Sequence, residues 1–301
     1  MRIRGFTFNG VRGLDGLKKD LPGSDNDLVV VFGKQGSGKT TFLDTLAAAK
    51  EAIAEYGSPD SRWDSIPDSR GIAKVTINWE ASANEQARFA LGNPQLQTES
   101  FLGRRTGDPA EYPVSIVGML GEVGEAERGS VHYFHDSRAL EGPIDFGADD
   151  AALRNRLTTR NSKFAELYDL LDQPEYATAK ALASDRYSEL FPRLGLAGMR
   201  RYGMSFHIMV QDKEKGEQRT YDTLSTSERQ GLIMALYTAR RPIVDSIILI
   251  DAPERGFGDG ATDLLRGLLR WTTRTQLIVA TASGAVRSMP EASHVVELPS
   301  S

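Results

Sequence analysis

The chain of 301 residues contains no cysteine. That excludes disulfides, thiol nucleophiles, iron–sulfur clusters and cysteine-type zinc sites together. Histidine is scarce. His132, His135, His207 and His294 are scattered, and no third metal ligand stands near the first two in sequence. Long apolar runs are missing as well. Leu28–Phe32 and Ile247–Ile250 are strand-sized, far short of the roughly 18 residues that a membrane span needs. The opening stretch, MRIRGFTFNG, lacks the apolar core of a signal peptide. These absences lead us to expect a cytoplasmic protein without a membrane partner. Excess positive charge is also lacking, with 36 Lys and Arg against 41 Asp and Glu for a net charge of −5. A wholly basic nucleic-acid binder is excluded, but a local basic groove is not. Arg104-Arg105, Arg200-Arg201 and Arg240-Arg241 are pairs and not a stripe, so nucleic-acid contact stays open.

What is present is ordinary for a folded protein: 40% hydrophobic and 26% charged residues. The length suits two domains, or one large α/β domain with an insertion. Residues 1–9 alternate like a half-exposed strand, whereas Leu28–Phe32 is a continuous β-branched run typical of a strand buried on both faces. Thr40–Glu55 reads as a helix. Ile72–Glu80 alternates as a strand, and Ala87–Leu91 is a candidate to return beside it. Residues 92–130 resist assignment apart from the apolar run Val114–Leu120, and Val131–Phe134 reads as a further strand. Leu153–Leu171 and Ala177–Leu194 have helical spacing, split near Pro174. Met204–Gln211 and Gln218–Tyr221 suggest a hairpin. The final stretch alternates helix Ser227–Arg240, strand Ser246–Asp251, helix Thr262–Trp271, and strands Leu277–Thr281 and Val295–Leu298. Such alternation implies a parallel sheet.

Gly33-Lys34-Gln35-Gly36-Ser37-Gly38-Lys39-Thr40, followed by Thr41, matches G-x-x-x-x-G-K-[ST] in full. Glycines let backbone N–H groups close on phosphate oxygens, and the following helix aims its positive end at the same anion. Lys39 would neutralise β/γ-phosphate charge, and the Thr40 hydroxyl would hold Mg²⁺. The strand Ser246–Asp251 ends in a carboxylate, the form of a Walker B strand, so Asp251 is a second candidate Mg²⁺ ligand. Leu224-Ser225-Thr226-Ser227-Glu228-Arg229-Gln230 precedes that strand. Locally it is a helix start, with Ser225 and Glu228 spaced as a capping box.

With these motifs in place, the chain resembles the ABC-type ATPases of the SMC, RecF and OLD-like group. Those proteins carry L-S-x-G-E-[RK]-Q where Leu224–Gln230 stands. They open with a strand and N-F-[RK]-G-L, here Gly10-Val11-Arg12-Gly13-Leu14. The resemblance implies an α/β P-loop NTPase head with a mixed or parallel sheet and a β-rich N-terminal lobe. It divides the chain into an ATPase lobe at 1–138, a small helical insertion at 139–202 and a second ATPase lobe at 203–301. It further implies ATP and Mg²⁺ as ligands, and a homodimer or hetero-oligomer closing across ATP. In such a dimer Ser225, Ser227 and Glu228 act on the other subunit's nucleotide, and Arg12 lies near the nucleotide in its own subunit. A protein effector partner follows by the same resemblance.

The sequence departs from this family in its hydrolytic residues. The Walker B Asp is followed by Ala252 and not by a catalytic Glu, and the switch His position is Ala282. Ser227 replaces a glycine of the signature. Glu254 is the candidate substitute base. Gln95, Gln97 and the stretch His135-Asp136-Ser137-Arg138 are candidates for the glutamine-loop position. One positioned base alone contributes about 10²–10⁴-fold in rate. The expectation is therefore a protein that binds ATP and hydrolyses it slowly, or only with a partner. It would act as a dimerising switch in DNA repair, chromosome maintenance or phage defence. A non-hydrolysing scaffold and a transporter subunit remain alternatives at this stage.

Overall fold

A computed structural model describes residues 1–23, 27–56, 60–103, 111–121, 130–140, 156–158, 161–202, 205–240 and 242–299. Arg104, Arg105, Arg241, Met204 and the first residues of the helix expected from Leu153 lie outside them.

The centre is a five-stranded, wholly parallel sheet ordered β12-β3-β11-β10-β6. Its strands are β3 (Leu28–Phe32), β6 (Val131–Phe134), β10 (Ile247–Asp251), β11 (Gln276–Thr281) and β12 (Ala292–Glu297). The continuous apolar runs arise because both faces are covered. Val29 and Val31 point into one core while Leu28 and Val30 point into the other.

The first core lies under a four-stranded antiparallel sheet, β2-β1-β4-β5. It comprises β1 (Arg2–Asn9), β2 (Lys18–Asp20), β4 (Ile72–Glu80) and β5 (Gln95–Gly103). Between the two sheets runs α1 (Lys39–Glu51), whose Phe42 meets Phe6 and Phe8 at ring-centroid distances of 4.9 and 5.3 Å. The sheets are stitched by one buried amide. Gln276 Oε1 accepts from Ile3 N at 2.8 Å, and its Nε2 donates to Ile3 O at 2.9 Å. Helix α1 stops four residues short of the expected Glu55. There the buried Lys50 donates to Ala54 O and Glu51 accepts from Tyr56 N, so side chains replace the next helical turn.

One strand expectation in this lobe needs correction. Ala87–Leu91 is not a strand. Helix α2 (Ala83–Arg88) runs into that stretch and the chain turns at Phe89 and Ala90; the helix is started by a capping box in which Ser82 and Glu85 satisfy each other's backbone N–H groups. The strand that returns beside β4 is β5, within the stretch left unassigned. Val114–Leu120 forms α3 (Val114–Gly121).

The second core packs helices against the opposite face. These are α4 (Leu167–Asp172), α5 (Ala177–Leu190), α6 (Thr226–Arg240) and α7 (Ala261–Trp271). The segment read as helical to Leu194 ends earlier, since Pro192 follows α5 and Leu194–Tyr202 is a strand, β7. It pairs antiparallel with β8 (Ser205–Asp212), which pairs with β9 (Glu217–Thr220), so the expected hairpin is part of a three-stranded sheet. The free rim of β6 is covered by the insertion. Tyr133 N donates to Arg156 O at 3.2 Å, and the buried Lys163 ammonium donates to Tyr133 O.

Candidate functional site

The site forms where parallel strands end, as it does in open α/β sheets. Strand β3 runs into the phosphate loop. Gly36 (φ +84°) and Gly38 (φ +89°) hold left-handed conformations that glycine adopts without strain. A Cβ on Gly33 would fall 2.2 Å from Ser37 Oγ, so the loop's tight turn also requires a glycine there. Lys34, Gln35 and Gly36 are exposed at the tip. Lys39 Nζ donates to the Gly33 and Lys34 carbonyls at 2.8 and 2.7 Å, which arches it over the loop. Ser37 is buried, and its hydroxyl has no hydrogen-bond partner. An orphaned buried hydroxyl in this glycine-rich loop fits a phosphate cradle.

Two motifs separated by 211 residues meet here: Thr40 Oγ1 donates to Asp251 Oδ2 at 2.7 Å. Burial holds the Asp251 carboxyl above its ordinary range, against the Thr40 hydrogen bond. A hydroxyl and a carboxylate beside a phosphate loop fit Mg²⁺, which takes one or two carboxylates and completes its shell with phosphate oxygens and water. Thr41 follows in the first turn of α1, where its carbonyl accepts from Thr45 Oγ1 at 2.6 Å.

The N-terminal motif is adjacent. The Leu14 side chain lies 3.2 Å from where a Gly38 Cβ would stand, and Arg12 is exposed on the same turn with its N–H donated to Ile66 O at 2.9 Å.

Other residues come to the site without a motif to announce them. Strand β6 lies beside β10, so Tyr133 and the residues after Phe134 face Asp251 and α1. Tyr133 and Arg62 both donate to Asp44 Oδ1 at 3.0 Å. Asp44 stands one helical turn after Thr40, and burial raises its carboxyl to about 6. Asp136 is an ion-pair partner of Arg255 and adds negative charge near Asp251. His135 is buried and held neutral, its pKa lowered to about 3 by burial and by the Lys163 charge. The glutamine candidates do not join the site. Gln95 and Gln97 are exposed on β5, and Gln97 Nε2 donates to Asn78 Oδ1 at 2.8 Å. The segment His135–Arg138 occupies the corresponding strand end.

Past Asp251 the chain turns sharply. Ala252 holds φ +44°, a conformation that costs a non-glycine residue stability, and its N–H donates to Ala280 O at 2.9 Å. Glu254 spends both carboxylate oxygens on the end of β11. Thr281 Oγ1 donates to Oε2 at 2.7 Å, and Ala282 N donates to Oε1 at 2.8 Å.

The signature segment starts α6 as a capping box, as its spacing suggests. Ser225 N donates to Glu228 Oε2 at 2.8 Å and Glu228 N donates to Ser225 Oγ at 3.3 Å. Ser225 and Ser227 hydroxyls lie 3.1 Å apart on the exposed side. Glu228 instead points inward. It is buried and bound by Arg193 at 2.8 Å, and despite burial these hydrogen bonds and charges keep its carboxyl below the ordinary range.

No protein-family model and no curated protein matches this sequence. Solved structures do. The chain is similar to an SMC head bound to the C-terminal winged-helix domain of ScpA, with a TM-score of 0.64 at 13% identity over 99% of this chain and 94% of that one. The SMC head domain from Thermotoga maritima gives 0.54 at 16% identity over 99% and 94%. A Pyrococcus furiosus SMC head with an extended coiled coil, bound to the C-terminal domain of ScpA, gives 0.58 at 13% identity over 98% and 92%. The fold is therefore that of an SMC head, an ABC-type ATPase architecture spanning almost the whole chain.

Proposed function

We propose that this protein is a Mg²⁺-ATP-binding member of the SMC, RecF and OLD-like group that works as a nucleotide-gated switch. It turns ATP over slowly by itself. The observation that carries the reading is the Thr40–Asp251 contact at 2.7 Å, which joins a complete phosphate loop to the carboxylate of the central strand. That contact supports an intact binding half, and two further observations support a depleted hydrolytic half. Position 252 carries a methyl group, and Glu254 has both oxygens engaged by Thr281 and Ala282.

ATP then acts chiefly as a ligand that holds two heads together. Ser225, exposed, and Ser227, half-buried, supply hydroxyls to the partner's phosphates from the start of α6. Glu228 supports them from within and does not touch the nucleotide. Arg12, beside the phosphate loop, contributes its charge from the same subunit. Because two of the similar SMC heads are bound to ScpA domains, a protein effector is a reasonable partner to seek here. The setting we favour is chromosome maintenance, DNA repair or phage defence.

The test is sedimentation of the purified chain with Mg-ATP, with Mg-ADP and without nucleotide, with phosphate release followed in the same samples. Self-association on ATP and turnover well below 1 s⁻¹ are expected, the enzyme median being about 10 s⁻¹. Turnover near 1 s⁻¹ that collapses in Glu254→Gln would overturn the slow-switch reading and make Glu254 the base.

A further inference from the structure

Arg138 is a buried cation beside the site, 3% exposed, and nothing in the nucleotide reading uses it. Among the described residues, no carboxylate is within hydrogen-bond reach of its guanidinium. Nη1 donates to His135 O at 2.9 Å and to the main-chain oxygen of Asp251 at 3.3 Å. Nη2 donates to Gln230 Oε1 at 2.8 Å, and Nε has no partner. Placing a full charge on neutral oxygens in the interior is expensive, so the arrangement calls for a reason.

The three partners belong to three elements: the end of β6, the end of β10 and the first turns of α6. Gln230 is itself buried, and it sits on the helix that opens with Ser225 and Ser227. Two further contacts tie the same elements. Asp136 pairs with Arg255 in the turn after β10. A Cβ on Gly256 (φ +99°) would stand 2.8 Å from Thr226 Cγ2, so that turn lies directly against the start of α6.

The charge logic follows from this geometry. Among the negative groups that act on Arg138, Asp251 acts most strongly, ahead of Asp136 and Glu254. Asp251 is also the carboxylate that would hold Mg²⁺. A dication there reverses the sign of the nearest field that Arg138 feels, and in a water-poor interior that field is weakly screened. Arg138 grips the Asp251 carbonyl and Gln230 together, so it cannot move without moving α6.

We infer that Arg138 is a positioning residue that senses the charge at Asp251 and sets the placement of the α6 start through Gln230. This inference rests on the Mg²⁺-ATP reading above. It adds that the surface offered to a second subunit depends on the metal and not merely on nucleotide.

The experiment is hydrogen exchange by mass spectrometry on the full chain, at a dilution where sedimentation shows monomer. Exchange is compared without nucleotide, with ATP plus EDTA, and with Mg-ATP. Wild type should protect 33–40 in both ATP conditions but slow exchange at 225–233 tenfold or more only with Mg-ATP. Gln230→Leu should keep protection of 33–40 and lose that at 225–233. Gln230→Glu, which gives Arg138 a carboxylate partner, should keep both. The double variant Arg138→Met with Gln230→Leu, which buries no orphaned charge, should behave like Gln230→Leu. Unchanged protection at 225–233 in Gln230→Leu, or equal protection with ATP plus EDTA in wild type, overturns the inference while leaving nucleotide binding intact. Absence of protection at 33–40 in wild type overturns the nucleotide reading and the inference with it.

Discussion

Thr40 and Asp251 illustrate how a site residue is read and where reading stops. Each is identifiable in sequence because its chemistry needs a fixed local pattern, a glycine loop in one case and an apolar strand ending in a carboxylate in the other. Asp44, Tyr133 and Arg62 have no such pattern. They matter because β6 lies next to β10, a pairing of segments more than a hundred residues apart that no local spacing encodes. Asp44 yields a pH prediction. Its carboxyl titrates near 6 in the fold against an ordinary value of 3.8, with burial outweighing Arg62 and Tyr133. The folded state therefore binds this proton more tightly than the unfolded chain. The resulting stabilisation is complete below the unfolded value and is lost as pH rises through about 6. Urea unfolding of wild type and Asp44→Asn, compared at pH 7 and pH 4.5, should show the difference between them shifting in favour of wild type by roughly 2 kcal/mol on acidification. A difference that stays constant with pH would mean that Asp44 remains ionised.

Among the elements, the helix starts were the most legible and the most instructive. The Ser225–Glu228 spacing correctly indicates a capping box, and the same spacing at Ser82–Glu85 starts α2 just before Ala87–Leu91, the stretch expected to return as a strand. The roles of Ser225 and Glu228 also separate here. Each fills the other's hydrogen bond, but only Ser225 is exposed, and Glu228 is anchored by Arg193. Ser225→Ala should lower unfolding free energy by about 1 kcal/mol, as the loss of a cap does. It should also weaken ATP-driven self-association by more than that stability change explains. A stability loss with self-association unchanged, read by sedimentation, would confine Ser225 to capping. The β7 strand was missed for a different reason. Its sequence, LGLAGMRRY, carries no clean alternation, and its identity comes from pairing with β8.

For the molecule as a whole, the parallel sheet follows from the alternation of strand and helix in the final stretch, and the β-rich lobe on its other face from the family resemblance. The division of each central strand between two cores was foreseeable from its unbroken apolar run. The placement of Arg156 and Lys163 on the rim of β6 was not, since a lysine ammonium and a lone carbonyl satisfy the strand there in place of another strand. Ligand linkage acts at this scale too. Mg-ATP at 100 times its Kd should add about 2.7 kcal/mol of stability, which for a chain of this size is a rise in Tm of roughly 5 °C. Lys39→Ala should abolish that rise while leaving the unliganded Tm within a few degrees. A shift retained in Lys39→Ala would place ATP elsewhere.

Strand β6 is a rim strand of the central sheet, and β7, the next strand among the described residues, belongs to a different sheet. Lengthening the excursion between them costs only closure entropy, about 0.6 kcal/mol for each doubling. Asp251 and the phosphate loop stand on β10 and at the end of β3, further inside the sheet. Insertions at this rim should therefore leave the Thr40–Asp251 contact undisturbed, which makes the length of the excursion a variable separate from the phosphate loop.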